Sequence, residues 1–457
     1  EGHSTLMKIR FLGAAGTVTG SRYLLTHDNT RLLIDCGLFQ GVKTIRSRNW
    51  KPFPVHPREI QAVVLTHAHL DHSGYLPRLM REGFHGHIWS TPATRQLAEI
   101  LLIDSGNLQE EDARHANRFG YSKHEPAEPL YTSDDAEKVM KQFRTSDYGH
   151  PVKVGPFTIH FSPAGHILGS SCVRVECEGK SITFSGDVGR PHDPVMNPPA
   201  PLQETDWLVV ESTYGDRLHE KESVTEKLAA IVSETVAGGG TVLMPAFAVG
   251  RAQVLMYLLT TMMARQQIPR VPIYLDSPMA IDVTDVFKHF NKEHRLSRAE
   301  CEAMCSHVLY TSTGEQSQAI SASEHPKIII AGAGMLNGGR ILHHLIAFGA
   351  DPRNKVVIAG YQAEGTRGDA LLKGSRSLRI FGRDAPIACE VAKVDGLSAH
   401  ADYREMLDWL RPVGRAPRRV FVTHGEASAA DSLRQKLEHE LGWSAVVPEL
   451  DEEFSLD

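Results

Sequence analysis

The sequence predicts an α/β protein in which a doubly wound parallel domain interrupts a domain of mixed sheets. Up to Glu211, short apolar runs alternate with turns and connect mostly as hairpins. Beyond Glu211, the pattern changes to repeats of strand, Gly-rich turn and helix. With 457 residues, the chain is long enough for at least two packed domains. Its composition, 41% hydrophobic and 23% charged, is that of an ordinary globular protein and excludes disordered and fibrous classes.

The first region opens with a β-meander, in which Asp28 and Asn29 supply the turn between the second and third runs. A buried strand, a helix-like stretch, another strand, a long helical region and four further strands follow. The predicted elements lie at 7–12, 21–26, 31–34, 62–66, 73–82, 87–90, 94–119, 157–161, 171–176, 181–184 and 207–210.

The second region contains four strand–helix units, at 241–245 and 250–263, 272–275 and 281–290, 327–331 and 339–348, and 355–359 and 365–372. Such alternation indicates a parallel, doubly wound sheet with right-handed crossovers. We place this domain at 213–390, inserted into a domain made of 7–212 and 391–457. The last part is predicted to hold helix 402–410, strand 419–423 and helix 427–441. Residues 1–6 are expected to be a tag remnant, with Met7 the natural start.

The segment His67-Ala68-His69-Leu70-Asp71-His72 places four ligand-type residues within six positions, directly after a buried strand. His67 and His69 are two apart on extended chain and point to one side, so they can bind one metal ion. Asp71 and His72 follow as the chain turns into a helix and can reach a second ion. The alternative, solvated loop histidines, does not account for this density.

Three more candidate ligands follow predicted strands, where side chains converge on one edge of a sheet: His166, Asp187 and His424. Each alone is more often a capping or turn residue. Together they complete one set of His67, His69 and His166 and another of Asp71, His72 and His424, with Asp187 bridging. Nitrogen and carboxylate ligands without sulfur favour two zinc ions, and manganese or iron fits the same ligand types.

The His67–His72 run, with Asp35 in Leu33-Ile34-Asp35-Cys36-Gly37, His166 and Asp187, resembles the metallo-β-lactamase superfamily, whose fold is an αββα sandwich. Glu211 in Glu211-Ser212-Thr213-Tyr214-Gly215-Asp216, His400 in Leu397-Ser398-Ala399-His400-Ala401-Asp402, and His424 match the three further motifs of its β-CASP ribonucleases. The branch it resembles is the bacterial and archaeal relatives of the mRNA 3′-end cleavage nuclease. The resemblance implies an inserted β-CASP domain and a zinc-dependent ribonuclease acting on single-stranded RNA as an endonuclease. An additional 5′–3′ exonuclease activity is left open.

This resemblance and the chemistry together assign roles to the remaining site residues. Asp71 is expected to orient or deprotonate the attacking water, His400 to protonate the departing ribose oxygen, and Glu211 to hold the ring of His400. Asp35 is expected behind a ligating histidine. Candidate phosphate contacts are Ser398 and the glycine-rich loop with Gly334, Met335, Gly338 and Gly339. In that loop Ala333 replaces the serine that relatives often carry, so a hydroxyl contact is lost.

Other functions remain as alternatives. A DNA nuclease of the superfamily is disfavoured because its branch typically lacks a histidine at the position of His424, and a small-molecule hydrolase because of the inserted domain with Glu211 and His400. An inactive RNA-binding scaffold would have lost ligands, and none is missing. The net charge of −6 lacks the basic footprint of a nucleic-acid-binding protein, so a polyanion must be met locally.

Residues 41–51 contain Lys43, Arg46, Arg48 and Lys51 without an acidic residue, which is as consistent with a solvated loop as with an RNA contact. No apolar run reaches the roughly 18 residues that cross a membrane, and no signal peptide precedes the first strand. The six cysteines form no CxxC pair, as expected of reduced thiols. We therefore expect a cytoplasmic protein with single-stranded RNA as its partner and no membrane, and a homodimer is left open.

Overall fold

A computed structural model describes residues 6–457. The predicted tag remnant covers residues 1–6, of which all but Leu6 lie outside the described residues. The chain divides into two compact units. One holds the chain up to His192 together with Pro198–Leu218 and His400–Asp457, and the other holds Asp193–Asn197 and His219–Ala399. The predicted bounds of the inserted domain, 213–390, stay a prediction.

The first part of the chain carries eleven strands and five helices among the described residues. The strands are β1 (Met7–Phe11), β2 (Tyr23–His27), β3 (Thr30–Ile34), β4 (Ala62–Val64), β5 (His87–Ser90), β6 (Phe143–Thr145), β7 (Val152–Val154), β8 (Phe157–Pro163), β9 (Ser171–Cys177), β10 (Lys180–Phe184) and β11 (Trp207–Glu211). The helices are α1 (Lys43–Arg46), α2 (Leu70–Ser73), α3 (Leu76–Arg81), α4 (Pro92–Phe119) and α5 (Ser133–Val139). The predicted helix 73–82 is thus broken, because Gly74 and Tyr75 separate α2 from α3.

The middle part alternates helices with strands. The helices are α6 (Val224–Ala237), α7 (Arg251–Ala264), α8 (Ala280–His289), α9 (Arg298–Ser306), α10 (Gly314–Ala322), α11 (Ile341–Phe348) and α12 (Arg367–Leu372). The strands are β12 (Val242–Pro245), β13 (Ile273–Asp276), β14 (Leu309–Thr311), β15 (Ile328–Ala331), β16 (Lys355–Ile358), β17 (Ser377–Ile380), β18 (Arg383–Pro386) and β19 (Glu390–Lys393).

The last part holds α13 (Tyr403–Leu410), β20 (Arg419–Thr423), α14 (Ala427–Leu441), β21 (Ala445–Val446) and β22 (Glu453–Leu456). Asp402 caps α13 through the amide of Glu405, and the Glu405 side chain accepts from the Asp402 amide in return. Among the described residues, no helix is both long and apolar enough to cross a membrane.

The first unit is a sandwich of two seven-stranded sheets. Their orders are β22-β1-β2-β3-β4-β5-β6 and β21-β20-β11-β10-β9-β8-β7. Apolar side chains from both sheets, such as Phe11 and Val64 from one and Phe161 and Phe184 from the other, form one buried core. Apolar residues of α13 and α14 cover the outer face of the second sheet, and α4 contacts the first sheet at β6. This arrangement confirms the expected αββα sandwich.

The second unit is built on a six-stranded sheet of order β14-β13-β15-β12-β16-β19, in which every pairing is parallel. A buried core packs α11 and its neighbours against one face. The doubly wound parallel domain is therefore confirmed. Strand β19 pairs with β16, so the sheet continues past residue 390, where the sequence pattern suggested a return to the first domain.

Candidate metal centre and active site

The candidate ligands of the first unit lie just beyond the carboxyl ends of strands, except for Asp71 and His72, which lie in α2. Strands β10, β11 and β20 are parallel neighbours, so Asp187, Glu211 and His424 leave the sheet at one edge. His166 follows β8 in the same sheet. His67 and His69 follow β4 in the opposite sheet, and α2 then begins at Leu70. The predicted turn from extended chain into a helix is present at this point.

The first group of ligand-type atoms comes from His67, His69, His166 and Asp187, all within 4.8 Å of one another. His166 Nε2 lies 3.2 Å from His69 Nδ1. Asp187 Oδ2 lies 3.4 Å from His67 Nε2 and 3.5 Å from His166 Nε2. His69 thus faces the group with Nδ1, whereas His67 and His166 face it with Nε2.

The second group comes from Asp71, His72, His424 and again Asp187. His72 Nε2 lies 3.2 Å from His424 Nε2 and 3.2 Å from Asp187 Oδ1. Asp71 Oδ2 lies 3.1 Å from His424 Nε2 and 3.4 Å from His72 Nε2. Asp187 therefore turns Oδ2 to the first group and Oδ1 to the second.

These spacings fit metal binding. Four ligands placed about 2.0–2.1 Å from a zinc ion at tetrahedral corners lie about 3.3 Å apart. Ring nitrogens that face each other at 3.2 Å, as in His72 and His424, can share a cation between their lone pairs. Two buried atoms, His67 Nε2 and Asp187 Oδ1, have no hydrogen-bond partner among residues 6–457, and a bound cation would satisfy them. The cluster has the donors and the geometry of a metal site.

Asp35 fixes the protonation of the ligand rings from behind, as a residue next to the ligands is expected to do. Its Oδ2 accepts from His72 Nδ1 at 2.7 Å and from the Thr66 hydroxyl at 2.7 Å. Because the Thr66 proton is used there, His67 Nδ1 donates to Thr66 Oγ1 across 3.1 Å. With a cation in place, both histidines would carry their single proton on Nδ1 and turn the lone pair of Nε2 to the cluster.

Thr66 and Thr213 belong to the site although sequence reasoning gave them no role. The Thr213 hydroxyl lies 3.4 Å from the carbonyl oxygen of His424, to which it can donate, and 3.2 Å from His424 Nδ1. His424 Nδ1 therefore donates to Thr213 and leaves Nε2 for the cluster. Thr66 directly precedes His67 in the sequence, and that position is the signal that could have identified it. Thr213 contacts His424 only in the fold, so the sequence gives no such signal for it.

Burial and the nearby carboxylates shift the pKa values of the clustered histidines in opposite directions. Burial lowers the pKa of His166 well below its usual value, and burial together with His72 lowers that of His67. Burial also opposes ionisation of His72, but the carboxylates of Asp187, Asp71 and Asp35 outweigh it and raise the pKa of His72 well above the usual value. The same concentration of buried carboxylates favours a cation.

His400 and Glu211 form a third group beside Asp187. Glu211 Oε1 accepts from His400 Nδ1 at 3.1 Å and from the Val188 amide at 2.8 Å. His400 Nε2 lies 4.0 Å from Asp187 Oδ2, at the edge of the cluster. Burial by itself lowers the pKa of His400, but the Glu211 carboxylate, with Asp187 and Asp71, raises it to about 9. The imidazole is thus held ready as a proton donor.

The candidate phosphate contacts lie in the second unit, between β15 and α11 and before residue 400. The amides of Ile341 and Leu342 donate to the carbonyls of Gly332 and Gly339, so these helix-start groups are already paired. Gly334 packs against Phe247, where a Cβ would come within 3.1 Å of its ring, whereas a Cβ on Gly338 would meet nothing. Ser398 is 2% exposed. The predicted role of Gly334, Met335, Gly338, Gly339 and Ser398 stays a prediction.

His344, which the sequence left without a role, lies in a buried network of the second unit. Its Nε2 is 2.6 Å from Asp276 Oδ2, which also accepts from the Ser317 hydroxyl at 2.5 Å. Arg340 donates to the other oxygen of Asp276. These contacts tie α10 and α11 to the end of β13, so His344 serves packing within this unit.

Buried histidines and carboxylates at the edge of an αββα sandwich define a metal-dependent hydrolase. Sequence models of three families match consecutive parts of the chain: the metallo-beta-lactamase superfamily at 15–228, the Beta-Casp domain at 252–371 and the Zn-dependent metallo-hydrolase RNA specificity domain at 384–448. The chain belongs to the β-CASP family of the metallo-β-lactamase superfamily, which confirms the resemblance seen in the motifs.

Three known proteins show how far the similarity extends. The chain is 39% identical to Ribonuclease TTHA0252 of Thermus thermophilus, over 92% of this chain and 93% of that protein. It is 32% identical to Transcription termination factor FttA of Methanosarcina mazei, over 95% of this chain and 70% of that protein. A crystal structure of a protein of unknown function from Enterococcus faecalis shares the fold, with a TM-score of 0.54, 13% identity, and coverage of 99% of this chain and 100% of that one.

Proposed function

We propose that this protein is a zinc-dependent ribonuclease that hydrolyses phosphodiester bonds of single-stranded RNA during RNA processing or decay. It acts as an endonuclease and also degrades RNA in the 5′–3′ direction. The observation that carries the proposal is the carboxylate of Asp187, whose two oxygens face two separate groups of ligand atoms. The match to an RNA specificity domain and the ribonuclease name of the relative from Thermus thermophilus support RNA as the substrate.

The proposed ligands divide between two zinc ions. His67, His69 and His166 would hold one, Asp71, His72 and His424 would hold the other, and Asp187 would be shared by both. When bound, such a pair of ions would lower the pKa of the attacking water and neutralise a phosphodiester oxygen. Manganese suits the same donors.

The chain's own groups then move the protons. Asp71 Oδ2, at the edge of the second group, orients the attacking water or accepts its proton. His400 donates from Nε2 to the departing ribose oxygen, and Glu211 keeps its ring in place through Nδ1. Because the pKa of His400 is raised to about 9, the acid is protonated at neutral pH. His400 is regenerated by a proton from solvent.

Three substrates distinguish this proposal from its alternatives. The zinc-loaded protein is incubated with end-labelled single-stranded RNA, with DNA of the same sequence and with a chromogenic β-lactam. We expect cleavage of RNA, at least about a hundredfold faster than of the other two. DNA cleavage at the rate of RNA would favour a DNA nuclease, and lactam turnover without RNA cleavage a small-molecule hydrolase; absence of RNA cleavage contradicts the proposal.

Two variants separate metal binding from proton donation. Asp187→Ala should lose bound zinc and activity together, because both ligand groups depend on it. His400→Ala should retain the zinc and lose about 10²–10⁴-fold in kcat, the usual contribution of a general acid. Metal content by mass spectrometry and cleavage rate are measured on both, with His124→Ala, an exposed histidine away from the cluster, as the control. Unchanged cleavage in His400→Ala would show that another group donates the proton.

A further inference from the structure

The basic loop at residues 41–51 follows a segment, 36–38, that packs against the chain carrying the candidate ligands Asp71 and His72. The Cys36 amide donates to the carbonyl of His72, and the Leu38 amide to that of Leu70. Gly37 lies between them, and a Cβ there would come within 1.6 Å of the carbonyl oxygen of Asp71. The chain that enters the loop is therefore packed directly on the segment that carries Asp71 and His72.

The far end of the loop is tied back to its beginning. The buried side chain of Asn49 accepts from the Phe39 amide at 2.9 Å and donates to the Phe39 carbonyl at 2.8 Å. The guanidinium carbon of Arg22 lies 4.6 Å from the centroid of the Phe39 ring, so the two groups stack. The contact of Gly37 with Asp71, two residues of chain to Phe39, the hydrogen bonds from Phe39 to Asn49 and one more residue together span about 20 Å. Trp50 therefore lies within about 20 Å of Asp71. The loop is thus held in one shape beside the site.

The groups that this loop presents to solvent suit a polyanion with aromatic bases. Lys43, Arg46 and Lys51 are exposed, and none of them forms an ion pair among the residues that the structure describes. No acidic residue occurs between Asp35 and Glu59. Arg48 keeps a buried Nη1 without a hydrogen-bond partner. The loop is therefore a local positive surface on a chain of net charge −6.

Trp50 adds an aromatic surface to this charge. Its side chain is 55% exposed, and the guanidinium of Arg78 lies 5.8 Å from the ring centroid. An exposed indole flanked by basic side chains is the combination by which proteins hold single-stranded nucleic acid, because bases stack on the ring while lysine and arginine neutralise the phosphates. A single strand of nucleic acid uses both the charge and the flat face of the ring.

We propose that residues 41–51 form a binding surface for the RNA strand next to the cleaved bond. Lys43, Arg46 and Lys51 bind its phosphates, and Trp50 stacks on one base. This inference rests on the proposed ribonuclease activity and adds the residues that hold the substrate on the side of the first unit. It also decides between the two readings of this basic segment.

The charge part is tested with the triple variant Lys43→Ala, Arg46→Ala, Lys51→Ala on two substrates. For a 20-nucleotide single-stranded RNA, we expect KM to rise about tenfold or more with kcat unchanged, and the slope of log KM against log salt to fall by about 2, the effect of three lost phosphate contacts. Hydrolysis of bis(p-nitrophenyl) phosphate, which is too small to reach the loop, should be unchanged and so reports an intact metal site.

A triple variant at the end of α4, Arg114→Ala, Arg118→Ala, Lys123→Ala, makes the same charge change with exposed residues and should leave KM for RNA near that of the wild type. Equal KM in the loop variant and the wild type, or equal losses in both triple variants, would overturn the inference. A wild-type protein that cleaves the small diester but not RNA would instead overturn the proposed function.

The stacking part is tested by fluorescence on the zinc-loaded His400→Ala protein, whose cleavage is expected to be about 10²–10⁴-fold slower, so that the ligand stays intact during the titration. Oligo(U) should quench part of the tryptophan emission, and the additional change Trp50→Phe should abolish the quenching while affinity changes less than about threefold, since phenylalanine also stacks. Trp50→Ala should weaken binding by about tenfold. Quenching that persists in Trp50→Phe, or binding unchanged in Trp50→Ala, would rule out the stacking contact.

Discussion

Three side chains that are not themselves candidate ligands decide how the ligands present their lone pairs. Asp35 accepts from His72 Nδ1, Thr66 accepts from His67 Nδ1, and Thr213 accepts from His424 Nδ1. Each contact leaves Nε2 unprotonated on the side of the cluster. At the scale of single residues, the site is therefore preorganised by hydrogen bonds behind the rings as much as by the rings themselves.

The first residue-scale prediction concerns Asp35. Asp35→Ala removes the acceptor of both His72 and Thr66, so it should weaken zinc binding by about 10–100-fold, the usual effect of losing a partner behind a metal ligand. Zinc affinity is measured by competition with a chromophoric chelator. Asp408→Ala, an exposed aspartate on α13, serves as the control, and equal affinity in the two variants would refute the role given to Asp35.

The second residue-scale prediction is a shift in pH dependence. Glu211 is the main group that raises the pKa of His400, to about 9, against the lowering effect of burial. Since a general acid must be protonated, activity falls as the pH rises through this pKa. Glu211→Gln should therefore move the alkaline limb of the kcat profile to lower pH. An alkaline limb that stays in place would mean that His400 is not the acid that titrates.

At the scale of elements, the carboxyl ends of neighbouring strands bring the candidate ligands of the first unit together, and a buried ion pair joins distant segments within the second unit. Arg251, at the start of α7, donates to Asp193 at 2.9 Å and to the carbonyl of Leu397 at 2.8 Å. Asp193 also accepts from the amides of Val195 and Met196. Arg251 thus holds two segments of the second unit that are far apart in sequence.

The element-scale prediction follows from the burial of this pair. Arg251→Ala leaves Asp193, which is 5% exposed, without its cation and should cost about 3–5 kcal/mol. Burial alone would raise the pKa of Asp193, but Arg251 and the two amides hold this pKa below its usual value. The stability that the ion pair adds to the folded state is therefore present at neutral pH and is lost as the pH falls below about 4. Thermal unfolding of Arg251→Ala and of the exposed control Arg298→Ala measures the difference; equal midpoints contradict it.

The sequence indicated the candidate ligands and the main strands because both depend on local patterns. The His67–His72 run is recognisable by spacing, and His166, Asp187 and His424 by their places after apolar runs. Thr66 and Thr213 could not be assigned, since threonines after strands are common and only the fold shows which one contacts a ring. The pairing of β19 with β16 could not be predicted, because a four-residue strand does not reveal its partner. The pairing of Asp276 with His344, 68 residues apart, left no local pattern either.

At the scale of the whole molecule, the site depends on contacts between the two ends of the chain. Asp71 and His424 are 353 residues apart and lie 3.1 Å from each other. A cation between such groups binds the folded chain and not the unfolded one, so it stabilises the fold by RT ln(1 + [M]/Kd). Metal binding and folding of the first unit are therefore linked.

The whole-molecule prediction is a loss of stability on chelation. Removal of zinc by EDTA should lower the thermal midpoint of the wild type, since zinc at a thousandfold excess over its Kd contributes about 4 kcal/mol. Differential scanning calorimetry measures both forms. Asp187→Ala, which removes the carboxylate shared by both ligand groups, should show little response to zinc. An equal midpoint for the wild type with and without zinc would contradict the linkage.

The end chemistry of cleaved RNA tests the central claim most directly. An end-labelled single-stranded RNA is digested while zinc is titrated into the metal-free protein, and the products are resolved by length and by their terminal groups. If two ions held by the shared carboxylate of Asp187 activate water for attack on phosphorus, activity should reach its plateau at two equivalents of zinc. Each cleavage should then leave a linear phosphate on one new end and a free hydroxyl on the other. Products ending in 2′,3′-cyclic phosphate, or full activity without metal, would contradict the account.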